Sequence, residues 1–196
     1  MHRGFLEAGA DIIETNTFGS TPLVLAEYGL GERAREISRV AAEIARRMAA
    51  QYSTALKPRF VAGSMGPTTK TISVTGGATF DEMLAHYREQ AVALLEAGAD
   101  FLILETVQDT LNVKAGALGV IEAYEIAGRR VPLAVSGTIE PMNTMLAGQS
   151  VDALYTSLEH LDLFAIGLNC ATGPAFKKRV ADQKVSLLVI DEAHCV

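Results

Sequence analysis

Short apolar runs alternate with amphipathic stretches along the chain. The runs lie at Ile12-Ile13 and at residues 59–62, 101–104, 131–135, 163–168 and 185–190. They show no polar alternation, which is the pattern of strands covered on both faces in a parallel sheet. Between them, apolar positions recur at helical spacing. Over residues 32–50, Ile37, Val40, Ala41, Ile44 and Met48 fall on one stripe. Thr79 followed by Glu82 is a capping box that opens a helix carrying Met83, Leu84, Tyr87, Ala91, Leu94 and Leu95. Asp109 is placed to cap a helix running to Gly128, and Ser150 to cap one that ends before Leu161. Methionine and aromatic residues at this spacing pack the core, so Met48, Met83 and Tyr87 are read as packing residues.

One segment occurs twice: Leu-Glu-Ala-Gly-Ala-Asp at residues 6–11 and again at 95–100. A looser third copy begins at Leu158. In both full copies a glycine closes a helix, where its lack of a Cβ permits positive φ, and a strand follows. The strands after the three copies end in polar residues: Glu14-Thr15-Asn16-Thr17, Glu105-Thr106 and Asn169-Cys170. Strands alternating with helices imply right-handed βα units, either in an open doubly wound sheet or in a closed barrel. Polar clusters at the C-terminal ends of nearly every strand favour the barrel, because barrel enzymes build their sites there. About six strands are legible where a barrel has eight, and none precedes the first helix. The expected fold is therefore α/β: an incomplete (β/α)8 TIM barrel of parallel strands, lacking the first strand and the last units.

With 196 residues, 49% apolar and 20% charged, the composition is that of a globular domain with a full core. A net charge of −6 and the absence of a basic stripe argue against nucleic acid as a partner. Arginines between Arg33 and Arg47 are interleaved with Glu32, Glu36 and Glu43, and Glu43 stands at ion-pair spacing from Arg46 and Arg47. No apolar run approaches the roughly 20 residues of a membrane span, and the N-terminus has no signal-peptide pattern, so a cytoplasmic location is expected. Two cysteines, Cys170 and Cys195, are too few for a disulfide framework and read as thiols or metal ligands.

The polar strand ends would converge at one mouth. A carboxylate buried there is costly without a cation, so Glu105 invites an ammonium partner, or else a neighbouring side chain of the barrel. A thiolate there can bind a soft metal such as zinc, and a cysteine can equally be a small buried side chain. The stretches Gly-Ala-Asp-Ile-Ile-Glu-Thr-Asn-Thr-Phe-Gly at 9–19, Gly-Ser-Met-Gly-Pro-Thr at 63–68, Ile-Leu-Glu-Thr at 103–106 and Gly-Leu-Asn-Cys at 167–170 occur in this order. Together they resemble the homocysteine-binding barrel of the homocysteine S-methyltransferases, nearest to the cobalamin-dependent branch, over about residues 1–174, most of the chain. The resemblance implies a zinc ion held by three cysteine thiolates, homocysteine as substrate, and methyl transfer to its thiol to give methionine. Methylcobalamin or methyltetrahydrofolate would be the donor, supplied by other modules. It places Cys170 at the first zinc ligand and Glu105 at the amino group of homocysteine, with Asn16 and Asn169 at the same mouth as substrate-binding residues that orient either the substrate or the backbone.

Two parts of that family's pattern do not occur in the sequence: a first strand with an Asp-Gly turn, and a Gly-Gly-Cys-Cys-Gly turn that completes the zinc site. The terminal segment at 185–196, with Asp-Glu-Ala-His at 191–194, resembles the DEAH-box strand of RecQ-like helicases. The expected division is a partial homocysteine-binding barrel over 1–176 and a junction with a foreign strand over 177–196. A nucleotide-hydrolysing motor needs a Gly-Lys-Ser/Thr phosphate cradle. Thr69 stands where that glycine must be in Gly66-Pro67-Thr68-Thr69-Lys70-Thr71, so helicase activity is set aside. Two readings are left, a methyltransferase and a barrel fragment that only binds. An open barrel exposes strand edges and an apolar interior, so self-association is expected.

Overall fold

The structure, a computed structural model, describes residues 1–170 and the strand Leu187–Val189. Its strands are β1 (Ile12–Glu14), β2 (Phe60–Met65), β3 (Phe101–Val107), β4 (Leu133–Gly137), β5 (Ala165–Leu168) and β6 (Leu187–Val189). They form one six-stranded sheet in chain order, and every neighbouring pair is parallel. A doubly wound sheet reverses its strand order at a switch point, whereas this order runs on without reversal, as in a (β/α) barrel. The fold is a partial TIM barrel, as the strand–helix alternation implies. Apart from β6, residues 171–196 lie outside the described residues, and with them the expected junction and the Asp-Glu-Ala-His segment.

The helices are α1 (His2–Glu7), α2 (Pro22–Ala26), α3 (Ala34–Tyr52), α4 (Phe80–Glu96), α5 (Thr110–Ala127) and α6 (Val151–Leu158). Their starts follow local chemistry. The Thr79–Glu82 capping box forms with both reciprocal bonds, Asp109 accepts the Leu111 N–H, and Ser150 accepts the Ala153 N–H. In the two repeat copies Gly9 and Gly98 sit at φ 106° and 90°, the conformation a side chain disfavours. No helix of the described residues is long and apolar enough to cross a membrane.

The main core lies between sheet and helices. Met65, Leu102, Leu104 and Val135 meet Met83, Tyr87, Leu94 and Leu154 there. A smaller cluster of Ala62, Ile103 and Ala134 packs on the lumen side. Helices α4 and α5 approach so closely that a Cβ on Gly119 would stand 2.6 Å from the Leu84 carbonyl oxygen.

The sequence reading needs correction in two places. Helix α3 buries its small residues, Ala34, Ser38, Ala42, Ala45 and Ala49, while Val40 and Ile44 are exposed. Alanines let the helix approach closely, so the larger apolar side chains flank the contact instead of filling it. Glu43 pairs with Arg39, and Arg46 reaches out of the helix to Asp100.

Candidate functional site

Strands β2, β3 and β4 extend further than their apolar runs, through Met65, Val107 and Gly137. Side chains two residues apart on a strand share a face. Ser64, Glu105 and Ser136 therefore follow Ala62, Ile103 and Ala134 toward the lumen, and all three are buried. Glu105 is 5% exposed and accepts a hydrogen bond from the Ser64 hydroxyl.

Ser64 is held from behind. Its N–H donates to Thr15 Oγ1 at 3.0 Å, and its carbonyl accepts from Thr17 Oγ1 at 2.6 Å. Gln90, fully buried on α4, donates from Nε2 to the Thr17 carbonyl at 2.7 Å and to Ser20 Oγ at 3.0 Å. This amide ties the segment after β1 to α4, and it also reaches the Ser64 carbonyl at the end of β2 at 3.5 Å. Gly66 completes the contact, because a Cβ there would lie 2.7 Å from the Phe18 ring.

Just after Glu105 the sheet is irregular. Leu104 pairs with Val135 and Val107 with Gly137, so β3 carries one more residue than β4 between these points. Such a bulge re-aims the side chains beside it. Thr106, inside it, has φ 57°. For a β-branched residue this region is a genuine outlier that costs on the order of 1–3 kcal/mol and persists only where the surroundings impose it. Asn169, just after β5, holds Thr106 on two sides. Its Oδ1 accepts the Thr106 N–H at 3.1 Å, and its Nδ2 donates to Thr106 Oγ1 at 2.8 Å. Ser136, on the strand between, donates to the same Oδ1 at 2.8 Å. Nδ2 also donates to Cys170 Sγ at 3.4 Å, and Cys170 itself takes φ 58°.

The structure thus brings together three of the four expected site residues. Glu105, Asn169 and Cys170 adjoin one another through Thr106. Cys170 is exposed, which sets aside its reading as a small buried side chain. Asn16 is also exposed, and among the described residues its side chain makes no hydrogen bond. Sequence reasoning placed Ser64, Thr106 and Ser136 at strand ends without giving them a role, and it did not single out Gln90. Gln90 carried a usable signal: it lies three residues after Tyr87 and one before Ala91, on the buried stripe of α4. A cleft opens beside Glu105, lined by Met65, Tyr87, Leu104, Asp109 and Asn112.

Zinc needs three or four protein ligands. No group of three or more His, Cys, Asp or Glu able to hold a metal occurs among the described residues. Cys170 is the one thiol among them. The described residues alone do not fit a zinc ion.

The sequence profile of the homocysteine S-methyltransferases matches residues 1–189. The chain belongs to this family. It is 42% identical over 175 residues to methionine synthase of Mycobacterium tuberculosis, and equally so to methionine synthase of Mycobacterium leprae. These alignments cover 89% of the chain but only 15% and 14% of those proteins. Among solved structures, the fold matches the homocysteine methyltransferase MmuM of Escherichia coli in its oxidized form. The TM-score is 0.80 at 24% identity, over 98% of this chain and 69% of that one. The metallated form of MmuM matches with a TM-score of 0.73 at 26% identity, over 86% and 61%.

Proposed function

We propose that this mouth holds homocysteine and presents its thiol for methylation to methionine. The observation that supports it most is Glu105. A carboxylate buried at the end of a barrel strand is costly to desolvate, and the ammonium group of an amino acid supplies a matching charge. On this reading Glu105 takes the substrate ammonium, Asn16 orients the substrate at the rim, and Cys170 lies toward its sulfur. The reacting bond forms between the substrate sulfur and the methyl carbon as the donor departs and the thiol proton is lost. The donor on this reading is methylcobalamin or methyltetrahydrofolate, supplied by other modules. A cytoplasmic, reducing setting suits the exposed thiol. Ile12 and Phe60, exposed on the lumen face of β1 and β2, favour association of copies through that face.

A second reading, binding without turnover, is favoured by the single thiol of the described residues. Here the chain holds the amino acid but does not activate its sulfur.

Calorimetric titration of the full chain with L-homocysteine tests the shared part of both readings. Binding is expected, and Glu105→Gln should weaken it roughly a hundredfold, the scale of losing one partner of a desolvated charge pair. Equal affinity of the wild type and the variant would remove Glu105 from the site. Methionine formed from homocysteine and methylcobalamin, with zinc added, then separates turnover from binding alone.

A further inference from the structure

Asn169 has the hydrogen-bonding capacity of a primary amide, two donors and two acceptor positions. Each is engaged within the protein. Oδ1 accepts from the Thr106 N–H and from Ser136 Oγ, and Nδ2 donates to Thr106 Oγ1 and to Cys170 Sγ. The orientation of the amide is fixed by its partner, because a backbone N–H only donates and the atom facing it must be the oxygen. The residue is 4% exposed. A side chain saturated in this way has no hydrogen bond left for a ligand.

Its partners show what it does instead. The β3 bulge takes the Thr106 N–H out of the ladder with β4, and a buried N–H needs a partner. The β3–β4 ladder resumes beyond it, with Thr138 N–H donating to the Val107 carbonyl at 2.8 Å, and the end of β5 is tied to β4 by Asn169 N–H donating to the Gly137 carbonyl at 2.9 Å. The Asn169 side chain spans β4 to supply the missing acceptor. Resting on the reading that this mouth holds an amino acid, we infer that Asn169 is a positioning residue that fixes the spacing between Glu105 and Cys170. It pins Thr106 in its left-handed conformation and touches no substrate. Without it the bulge relaxes, and Glu105, one residue earlier, loses its aim.

The test uses the full chain and two readouts, amide hydrogen exchange resolved at Thr106 and the dissociation constant for L-homocysteine. Asn169→Ala should speed exchange at Thr106 roughly tenfold or more, the scale of one lost hydrogen bond, while Leu102 and Leu104 keep their protection. Asn169→Asp retains the Oδ1 acceptor and should leave the Thr106 amide protected. Homocysteine affinity should fall roughly tenfold in Asn169→Ala. Adding Thr106→Gly should restore most of it, because glycine adopts φ > 0 without being held. Should Asn169→Ala alone fail to fold, the Asn169→Ala/Thr106→Gly pair is expected to fold, and failure of both overturns the inference. Faster exchange spread evenly over the sheet, unchanged exchange at Thr106, or affinity loss that Thr106→Gly does not rescue would each overturn it. If the wild type does not bind homocysteine, the substrate reading fails by itself and the exchange data still decide whether Asn169 pins the bulge.

Discussion

At the floor of the sheet, where strands begin, Asp11 meets Arg59 at 2.7 Å, Asp100 meets Arg46 at 2.6 Å, and Asp162 meets Arg130 at 3.1 Å. At the mouth, where the same strands end, the side chains that meet are Ser64, Glu105, Thr106, Ser136 and Asn169, joined by hydroxyl and amide bonds. The floor is built on pairs of full charges, whereas the hydrogen bonds named at the mouth join hydroxyl, amide and carboxylate groups. Paired charges near solvent mark where strands begin and hold their register without needing a ligand. A carboxylate buried beside a cleft at a strand end stands where a ligand's charge can reach it. Within the floor, the two repeat copies solve one problem in opposite ways. The Asp11 side chain is 66% exposed and its partner Arg59 only 7%, whereas Asp100 is 22% exposed and its partner Arg46 lies further out, at 44%. Identical hexapeptides therefore do not fix which partner is buried. The strand that follows each copy, and the helix beside it, decide.

The largest effect is expected at Arg59. Its Nη1 donates to the Gly9 and Ala10 carbonyls as well as to Asp11. Arg59→Met keeps the apolar stem but leaves these acceptors without their donor. We expect a loss of about 3 kcal/mol in urea unfolding, at the lower end for breaking a buried pair because Asp11 stays solvated. Homocysteine affinity of the folded variant should be unchanged. A drop in affinity would show that floor and mouth are coupled. The next effect is at Asp100, whose carboxylate accepts the Val61 N–H at 2.8 Å besides pairing with Arg46. Asp100→Ala should cost about 1.5 kcal/mol in the same measurement, most of it from the backbone bond, since half-exposed ion pairs contribute little. A loss equal to that at Arg59 would mean that the Arg46 pair carries more than its exposure suggests.

Much of this fold was legible beforehand because it rests on local rules. The capping box at Thr79, the caps at Asp109 and Ser150, and the helix-ending Gly9 and Gly98 all form where the sequence places them. The buried face of α3 was not legible. Alanine and valine are both apolar to a periodicity argument, and only the closeness of packing decides that Ala42 and Ala45 turn inward while Val40 does not. At the site, Glu105, Asn169 and Cys170 stood out as polar residues ending apolar runs. The supporting role of their neighbours did not. Ser64 and Ser136 read as strand ends, yet both lie within strands facing the lumen, because the mouth of a barrel admits polar side chains that a sheet interior would not. The bulge at Thr106 has no local signature. It exists because a residue sixty-three positions away, Asn169, accepts its N–H.

The smallest expected change in stability belongs to the residue with the largest proposed role. Glu105→Gln keeps an oxygen that can accept from Ser64 and keeps the size and shape of the side chain. Its unfolding free energy should stay within about 1 kcal/mol of the wild type, with any shift toward greater stability, as happens where a functional group is replaced by one that suits the fold better. Urea unfolding followed by circular dichroism measures this directly against Arg59→Met. A Glu105→Gln loss near that of Arg59→Met would make the carboxylate a structural member of the barrel, and the division of labour between the two ends of the strands would fail. Unchanged stability together with lost homocysteine binding would place the cost of burying Glu105 on the side of function.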